Sequence, residues 1–168
     1  FDCDLTTSKA VFYRRHIPLP KHLYDKYPQM EGVQPLESAE LLPHNIFRSI
    51  VVDLPFIVSY GEWNGGKIKD RFTHFENKEE LYAANDYMLS LAHNLLNKGG
   101  ILVMKTMDVN TNGKQLWVSH YVQTKAFELG FKLLDTFIYV SPTRIISQQN
   151  IIQRIARKYH SYFFVFKK

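Results

Sequence analysis

The segment Ile50-Val51-Val52-Asp53-Leu54-Pro55-Phe56 decides the fold class of this 168-residue chain. Its first three residues form a continuous β-branched run, which is typical of a strand buried on both faces of a sheet. Asp53 ends the run, so the segment predicts a buried strand followed by an acidic turn. Asp53 and Pro55 also interrupt the longest apolar stretch, which excludes a membrane span of roughly 20 apolar residues.

Hydrophobic periodicity predicts the neighbouring elements. Leu23-Tyr24 indicates a short strand upstream. From Asn77 the apolar residues recur at helical spacing, with Asn77 as the N-cap and Gly99-Gly100 closing the helix. The residues with this spacing are Leu81, Ala84, Met88, Leu91, Ala92, Leu95 and Leu96. A second buried strand, Ile101-Leu102-Val103-Met104, follows.

The carboxyl-terminal part continues the alternation of helix and strand. A helix is predicted over Val118, Val122, Ala126 and Leu129, ending at Gly130. Two consecutive strands, 131–140 and 159–166, then predict an antiparallel C-terminal hairpin. The chain is therefore expected to be α/β, with a doubly wound, mostly parallel sheet.

A single domain over residues 1–168 is expected, because the sequence has no repeat, low-complexity tract or Pro/Gly/Ser linker. Almost nothing of the strand that should precede Asp4 is present. Since Phe1 is not an initiator methionine, we expect the domain to be truncated at its N-terminus, with the first strand missing.

Ligands of such sheets bind beyond the carboxyl ends of the strands. The residues at those positions are Asp4, Asp25, Ser38, Asp53 and Lys105. For Lys105 and the nearby Asp108, a solvated loop is the expected environment.

Asp53-Leu54-Pro55-Phe56 resembles the Asp/Asn-Pro/Leu/Ile-Pro-Tyr/Phe/Trp motif of S-adenosylmethionine-dependent methyltransferases that modify exocyclic amino groups, chiefly adenine N6 in nucleic acids. The resemblance implies a class I, Rossmann-like fold. It also implies that Asp53 and a carbonyl of Leu54 or Pro55 accept the N–H bonds of the amine while Phe56 stacks on the base. In the alternative interpretation Asp53 only caps a turn after a core strand.

The chemistry requires such a motif because an aromatic amine is a poor nucleophile, its lone pair being delocalised into the ring. Two acceptors draw the nitrogen toward tetrahedral geometry and localise that pair. Attack on the sulfonium methyl is then an in-line displacement, for which positioning supplies much of the acceleration.

The stretch from Asp4 to Phe12 resembles the first motif of this family, an acid followed by a Gly-x-Gly turn. Asp4 and Thr6 lie at its start, and Ser8 and Ala10 stand where the glycines would be. The resemblance implies S-adenosylmethionine as the cofactor.

Two further segments resemble the rest of the cofactor site. Asp25 matches the acid that holds the ribose hydroxyls, and Ser38-Ala39 begins a loop similar to the one that reads the cofactor's adenine. Ser38 replaces the family's acid there, so an adenine contact is expected to weaken or to shift to Glu40.

The carboxyl end of the chain is basic. Residues 136–168 hold six Lys or Arg and no acid, which is typical of contact with a polyanion or of an ordinary solvated rim. We expect Arg154, Arg157 and Lys158 to contact a nucleic-acid backbone, with His160 and Tyr162 nearby. By alternation, Tyr159, Phe163 and Val165 are expected to face the core.

The remaining features limit other functions. Residues 61–72, with Trp63 and Gly65-Gly66, indicate either a substrate loop or an inert insertion. The one cysteine, Cys3, excludes an internal disulfide and favours a reducing cytoplasm. The seven histidines lack metal-ligand spacing, so no metal is expected.

Taken with the resemblance, these features predict methylation of a base amino group, adenine N6 in DNA before RNA, with no membrane and with a separate specificity subunit as a possible partner. The alternatives are an RNA methyltransferase, an inactive relative that serves as a nucleic-acid-binding or scaffold subunit, and a methyltransferase of small-molecule amines.

Overall fold

The computed structural model describes residues 1–13, 17–58, 74–142, 156 and 158–168. Three helices and nine strands occur in this part of the chain, and a short 3₁₀ turn spans Val11–Tyr13. The helices are α1 (Glu37–Glu40), α2 (Lys78–Leu95) and α3 (Val118–Glu128). The strands are β1 (Cys3–Asp4), β2 (His22–Asp25), β3 (Gln34–Pro35), β4 (Phe47–Asp53), β5 (Leu96–Thr106), β6 (Val109–Thr111), β7 (Lys114–Leu116), β8 (Lys132–Val140) and β9 (His160–Lys167).

Seven strands form one sheet in the order β3-β2-β1-β4-β5-β9-β8. The first five are parallel, and β9 runs antiparallel to both β5 and β8. The predicted α/β class with an antiparallel C-terminal hairpin is confirmed, although β9 enters between β5 and the edge strand β8. The two-residue β1 lies between β2 and β4 and pairs with both.

The core lies between α2, α3 and one face of the sheet. On that face Ile50 and Val52 of β4 are fully buried, as are Leu102 and Met104 of β5. The expectation that these strands are buried on both faces is wrong, since Val51 and Val103 on the other face are only half-buried. Alternate residues of a strand point to opposite faces of the sheet. Because Ile50 and Val52 point into the core, Val51 and Asp53 point to the other face.

Helix α2 begins as predicted, because the Asn77 side chain accepts the Glu80 N–H (2.9 Å). It ends at Leu95, earlier than the expected Gly99-Gly100, and both glycines belong to β5. Gly100 is required by close packing, since a Cβ there would lie 2.9 Å from the Asn97 carbonyl oxygen and 3.2 Å from that of Arg48. Helix α3 follows its predicted course, and Gly130 after it has φ +93°.

Strand β9 has the opposite orientation to the one expected. Phe164 and Phe166 are buried, whereas Tyr159, Phe163 and Val165 are only half-buried. The pairing explains the difference, because Phe164 lies opposite Met104 and Phe166 opposite Leu102, whose side chains enter the core. The expectation that Tyr159, Phe163 and Val165 face this core is therefore wrong.

No helix among the described residues is long and apolar enough to cross a membrane.

We predict that Asn77→Ala destabilises the protein by about 1 kcal/mol, because the Glu80 N–H loses its acceptor at the start of α2. Urea unfolding followed by circular dichroism measures the change. Asn77→Ser is the matched control, since a serine hydroxyl can accept the same bond. Equal losses in both variants would contradict a capping role.

Candidate active site

Asp53 ends β4 at the carboxyl edge of the sheet, as predicted. Its Oδ2 accepts a hydrogen bond from the Lys105 ammonium at 3.1 Å. The two residues are direct neighbours on β4 and β5, and Phe163 of β9 lies next in the same row. Their side chains are 19% and 17% exposed, so this ion pair is largely removed from water.

Two opposing effects act on the Asp53 carboxyl. Burial raises its pKa above the ordinary value for an aspartate, because the charged form loses water. The nearby Lys105 ammonium acts in the opposite direction, by its charge and by its hydrogen bond. Lys105 therefore favours the ionised carboxylate in a place where burial alone would favour the acid.

Lys105 also contacts two aromatic rings. Its Nζ lies 5.6 Å from the centre of the Phe56 ring and 6.0 Å from that of Phe163. A carboxylate and an aromatic ring thus both approach one amino nitrogen, the arrangement that the sequence motif is expected to provide for a substrate amine. Leu54, Pro55 and Phe56 follow Asp53 as half-buried residues.

The expectation of a solvated loop is wrong for both Lys105 and Asp108. Lys105 lies inside β5, which continues to Thr106. Asp108 is buried, and its Oδ1 accepts the N–H of Ser119 at 2.9 Å, in the first turn of α3. The physical reason for Lys105 is that β5 extends beyond the apolar run 101–104, so this residue belongs to the sheet. Asp108 is buried because its carboxylate accepts a backbone N–H at the start of α3.

The loop after β1 is bonded directly to Asp53. The Asp53 N–H donates to Thr6 Oγ1 at 2.7 Å, and the Thr6 N–H donates to Asp4 Oδ1 at 2.8 Å. Asp4 is buried, and its Oδ2 accepts the Tyr13 hydroxyl at 2.7 Å. The predicted cofactor loop and the predicted catalytic motif are therefore adjacent, with Thr6 between them.

Ser8 and Ala10 adopt backbone conformations that favour glycine. Their φ angles are +49° and +53°, in the left-handed region. The resemblance identified these two positions as replacements for glycines, and the loop keeps the glycine-like conformation with side chains that strain it. Such strain costs about 1 kcal/mol at each position.

Asp25 ends β2 and holds the same loop. Its Oδ2 accepts the Ser8 N–H and its Oδ1 accepts the Tyr27 N–H, both at 2.8 Å. The carboxylate thus lies beside the loop, where the resemblance places an acid for ribose.

Ser38 and Ala39 lie in α1, after β3. The Ser38 hydroxyl donates to the Pro35 carbonyl, and Ala39 is fully buried in the core. Glu40, the substitute considered for the missing acid, accepts the Tyr87 hydroxyl of α2. In this structure the polar groups of Ser38 and Glu40 are thus bonded to other protein groups.

A cavity of about 190 Å³ adjoins the Asp53–Lys105 pair. It is lined by Phe1, Tyr13, Val51, Val52, Asp53, Val103, Lys105 and Phe163. Neither Tyr13 nor Phe163 was predicted as a site residue. Phe163 lies in one row of the sheet with Asp53 and Lys105. Its place in the site could therefore be predicted only from the register of the strands.

Of the predicted nucleic-acid contacts, Arg154 and Arg157 lie outside the described residues, as does the loop 61–72. Lys158 is half-buried, and its Nζ lies 5.2 Å from the centre of the Trp117 ring. In the described part of the chain, no group of three or more His, Cys, Asp or Glu residues could hold a metal ion.

The solved structures that are similar to this chain include three with the following properties. A methyltransferase of Archaeoglobus fulgidus that depends on S-adenosylmethionine has a TM-score of 0.57 at 13% identity, over 99% of this chain and 85% of its own. A Thermus thermophilus protein assigned as a DNA modification methylase, in complex with S-adenosyl-L-methionine, has a TM-score of 0.52 at 23% identity, over 79% of this chain and 52% of its own. The cytosine-N4-specific PvuII DNA methyltransferase has a TM-score of 0.51 at 15% identity, over 77% of this chain and 45% of its own.

These similarities show the fold. The chain spans about half the length of the two DNA methylases. No protein-family model and no curated protein matches the sequence. The chain thus has the Rossmann-like fold of these methyltransferases.

We predict that Ala10→Gly stabilises the protein by about 1 kcal/mol, because glycine adopts a positive φ without strain. Urea unfolding measures the change. Ala83→Gly, on the exposed face of α2, is the control and should destabilise by about 1 kcal/mol. A loss of stability in Ala10→Gly would contradict the strained conformation of the loop.

Proposed function

We propose that this protein transfers a methyl group from S-adenosylmethionine to an exocyclic amino group of a nucleic-acid base, with adenine N6 in DNA as the substrate. Asp53, Leu54, Pro55 and Phe56 form the amine site in this proposal. The cofactor site consists of Asp4, Thr6, Ser8, Ala10, Asp25, Ser38 and Ala39.

The observation that carries the proposal is the hydrogen bond between Thr6 and Asp53. A methyltransferase must hold its donor and its acceptor so that the methyl carbon faces the amine nitrogen. The Thr6 hydroxyl accepts the Asp53 N–H at 2.7 Å, which places the proposed donor loop directly beside the proposed acceptor site.

The loop has the features that a nucleoside cofactor needs. Two carboxylates, Asp4 and Asp25, flank it, and the positive φ angles of Ser8 and Ala10 make it compact. When bound, S-adenosylmethionine would supply an electrophilic methyl group on a sulfonium. Asp25 would orient the ribose hydroxyls through the lone pairs that its two backbone N–H bonds leave available.

Lys105 favours the ionised form of the Asp53 carboxyl, which accepts N–H bonds. A protonated carboxyl would be a poorer acceptor, and the ammonium opposes the effect of burial on the pKa. Because Lys105 bonds to Oδ2, we assign Oδ1 to the substrate amine. Phe56 and Phe163 supply the flat apolar surfaces on which a base can stack.

A nucleic-acid substrate is supported by the charge of the chain. Residues 136–168 carry a net charge of +6, and the two methylases of similar fold are named for DNA. RNA, or cytosine N4, requires the same acceptor groups and would use the same residues.

A second candidate function is that of an inactive relative, a nucleic-acid-binding or scaffold subunit. Ser8 and Ala10 favour it, because they replace the two glycines of the family's cofactor motif. Calorimetric titration with S-adenosylmethionine separates the two functions, since an inactive relative of this kind would release no heat of binding.

We predict that Asp53→Ala lowers methyl transfer by about 10²-fold or more, because a methyl side chain cannot accept an N–H bond at a preorganised polar contact. Transfer of a radiolabelled methyl group to DNA, RNA and nucleosides measures the activity, and mass spectrometry identifies the methylated base. Glu79→Gln, an exposed residue of α2, is the control. Full activity of Asp53→Ala would show that this side chain is structural.

We predict that Lys105→Met shifts the acid limb of the pH–rate profile to higher pH. Removing the ammonium removes an effect that lowers the Asp53 pKa, so the carboxylate becomes protonated at a higher pH than in the parent protein. Lys98→Met, at the opposite end of β5, should leave the profile unchanged. An unchanged acid limb in Lys105→Met would contradict the proposed role of Lys105.

A further inference from the structure

An aromatic groove lies between the first part of α2, β7 and α3, and it shares no lining residue with the Asp53 cavity. It has a volume of about 420 Å³ and is lined by Tyr82, Gln115, Leu116, Trp117, His120, Tyr121, Thr124 and Lys125. Trp117 is 58% exposed, an unusual position for the largest apolar side chain. We call this surface, together with Lys158, the Trp117 groove.

Two lysine ammonium groups lie close to aromatic rings of the groove. The Lys158 Nζ lies 5.2 Å from the centre of the Trp117 ring, and the Lys125 Nζ lies 5.9 Å from that of Tyr121. Tyr121 itself stacks on Tyr82, with ring centres 4.1 Å apart and planes 15° from parallel. This stacked pair gives one wall of the groove a fixed aromatic surface.

Short connections join the groove to the active site. Lys105, the partner of Asp53, is followed three residues later by Asp108, which accepts the N–H of Ser119 at the start of α3. Trp117 directly precedes that helix. Lys158 precedes β9, whose antiparallel direction brings its first residues to the carboxyl edge of the sheet.

We propose that the Trp117 groove binds an unpaired strand of nucleic acid, with a base stacked on the Trp117 ring and a phosphate beside Lys158. This proposal rests on the proposed function and adds the contact that holds the strand on which the target base lies. Stacking on exposed aromatic rings beside cations is how proteins hold unpaired strands without reading sequence. The Lys158 ammonium beside the Trp117 ring favours a ligand that carries phosphate. The exposed Trp117 ring favours nucleic acid over an acidic peptide, because a peptide offers no base to stack on it.

The test uses fluorescence, since the chain has two tryptophans, Trp63 and Trp117. In a Trp63→Phe background, Trp117 is the single reporter. Titration with a single-stranded oligonucleotide should quench its emission. An abasic oligonucleotide of equal length should bind more weakly and leave the emission unchanged.

Two variants of the groove measure its contribution, with affinity followed by anisotropy of a labelled oligonucleotide. Trp117→Ala should weaken binding about tenfold. Lys158→Glu should weaken it and reduce the slope of log affinity against log salt by about one. The controls are Phe127→Ala, an aromatic residue 51% exposed on α3, and Lys98→Glu, at the amino edge of the sheet.

Unchanged affinity in Trp117→Ala would overturn the proposal, as would equal quenching by the abasic oligonucleotide or by poly-glutamate. Failure of the proposed function and failure of the groove give different results. If the parent protein transfers no methyl group but the groove variants lose affinity for the oligonucleotide, the groove stands without the enzyme. If Asp53→Ala loses methyl transfer and Trp117→Ala binds the oligonucleotide normally, the enzyme stands without the groove.

Discussion

The hydrogen bond from the Asp53 N–H to the Thr6 hydroxyl, 2.7 Å long, is the contact on which the rest of the site depends. Thr6 donates from both its N–H and its hydroxyl to Asp4, so one short side chain joins the ends of β1 and β4. Because β1 and β4 are parallel neighbours, their carboxyl ends meet at one edge. Fold topology and side-chain chemistry thus bring two distant segments of the sequence into one site.

Local patterns were sufficient to predict the strands around this edge. Ile50 to Asp53 and Ile101 to Met104 each carry a run of apolar residues that is typical of a buried strand. The N-cap of α2 was likewise readable, since Asn77 and Glu80 have the spacing of a cap. The β6–β7 hairpin went unassigned, although the Asn112-Gly113 turn between its strands is a hairpin signal.

Contacts between strands that are distant in the sequence could not be predicted. Residues 162–166 are apolar at nearly every position, so alternation does not tell which of Phe163 and Phe164 enters the core. Pairing with Met104 decides it and leaves Phe163 beside Lys105. The ion pair of Lys105 with Asp53 has the same origin, because it requires the register of β4 on β5. The sequence therefore predicted which polar residues lie at strand ends, but it did not predict which residues they contact.

A crystal structure with the product S-adenosylhomocysteine bound would show whether the donor loop and Asp53 form one site. We predict that the nucleoside lies on the loop of Ser8 and Ala10, with its sulfur directed toward Asp53. Binding of the product at any other edge of the sheet, or a sulfur directed away from Asp53, would contradict the account.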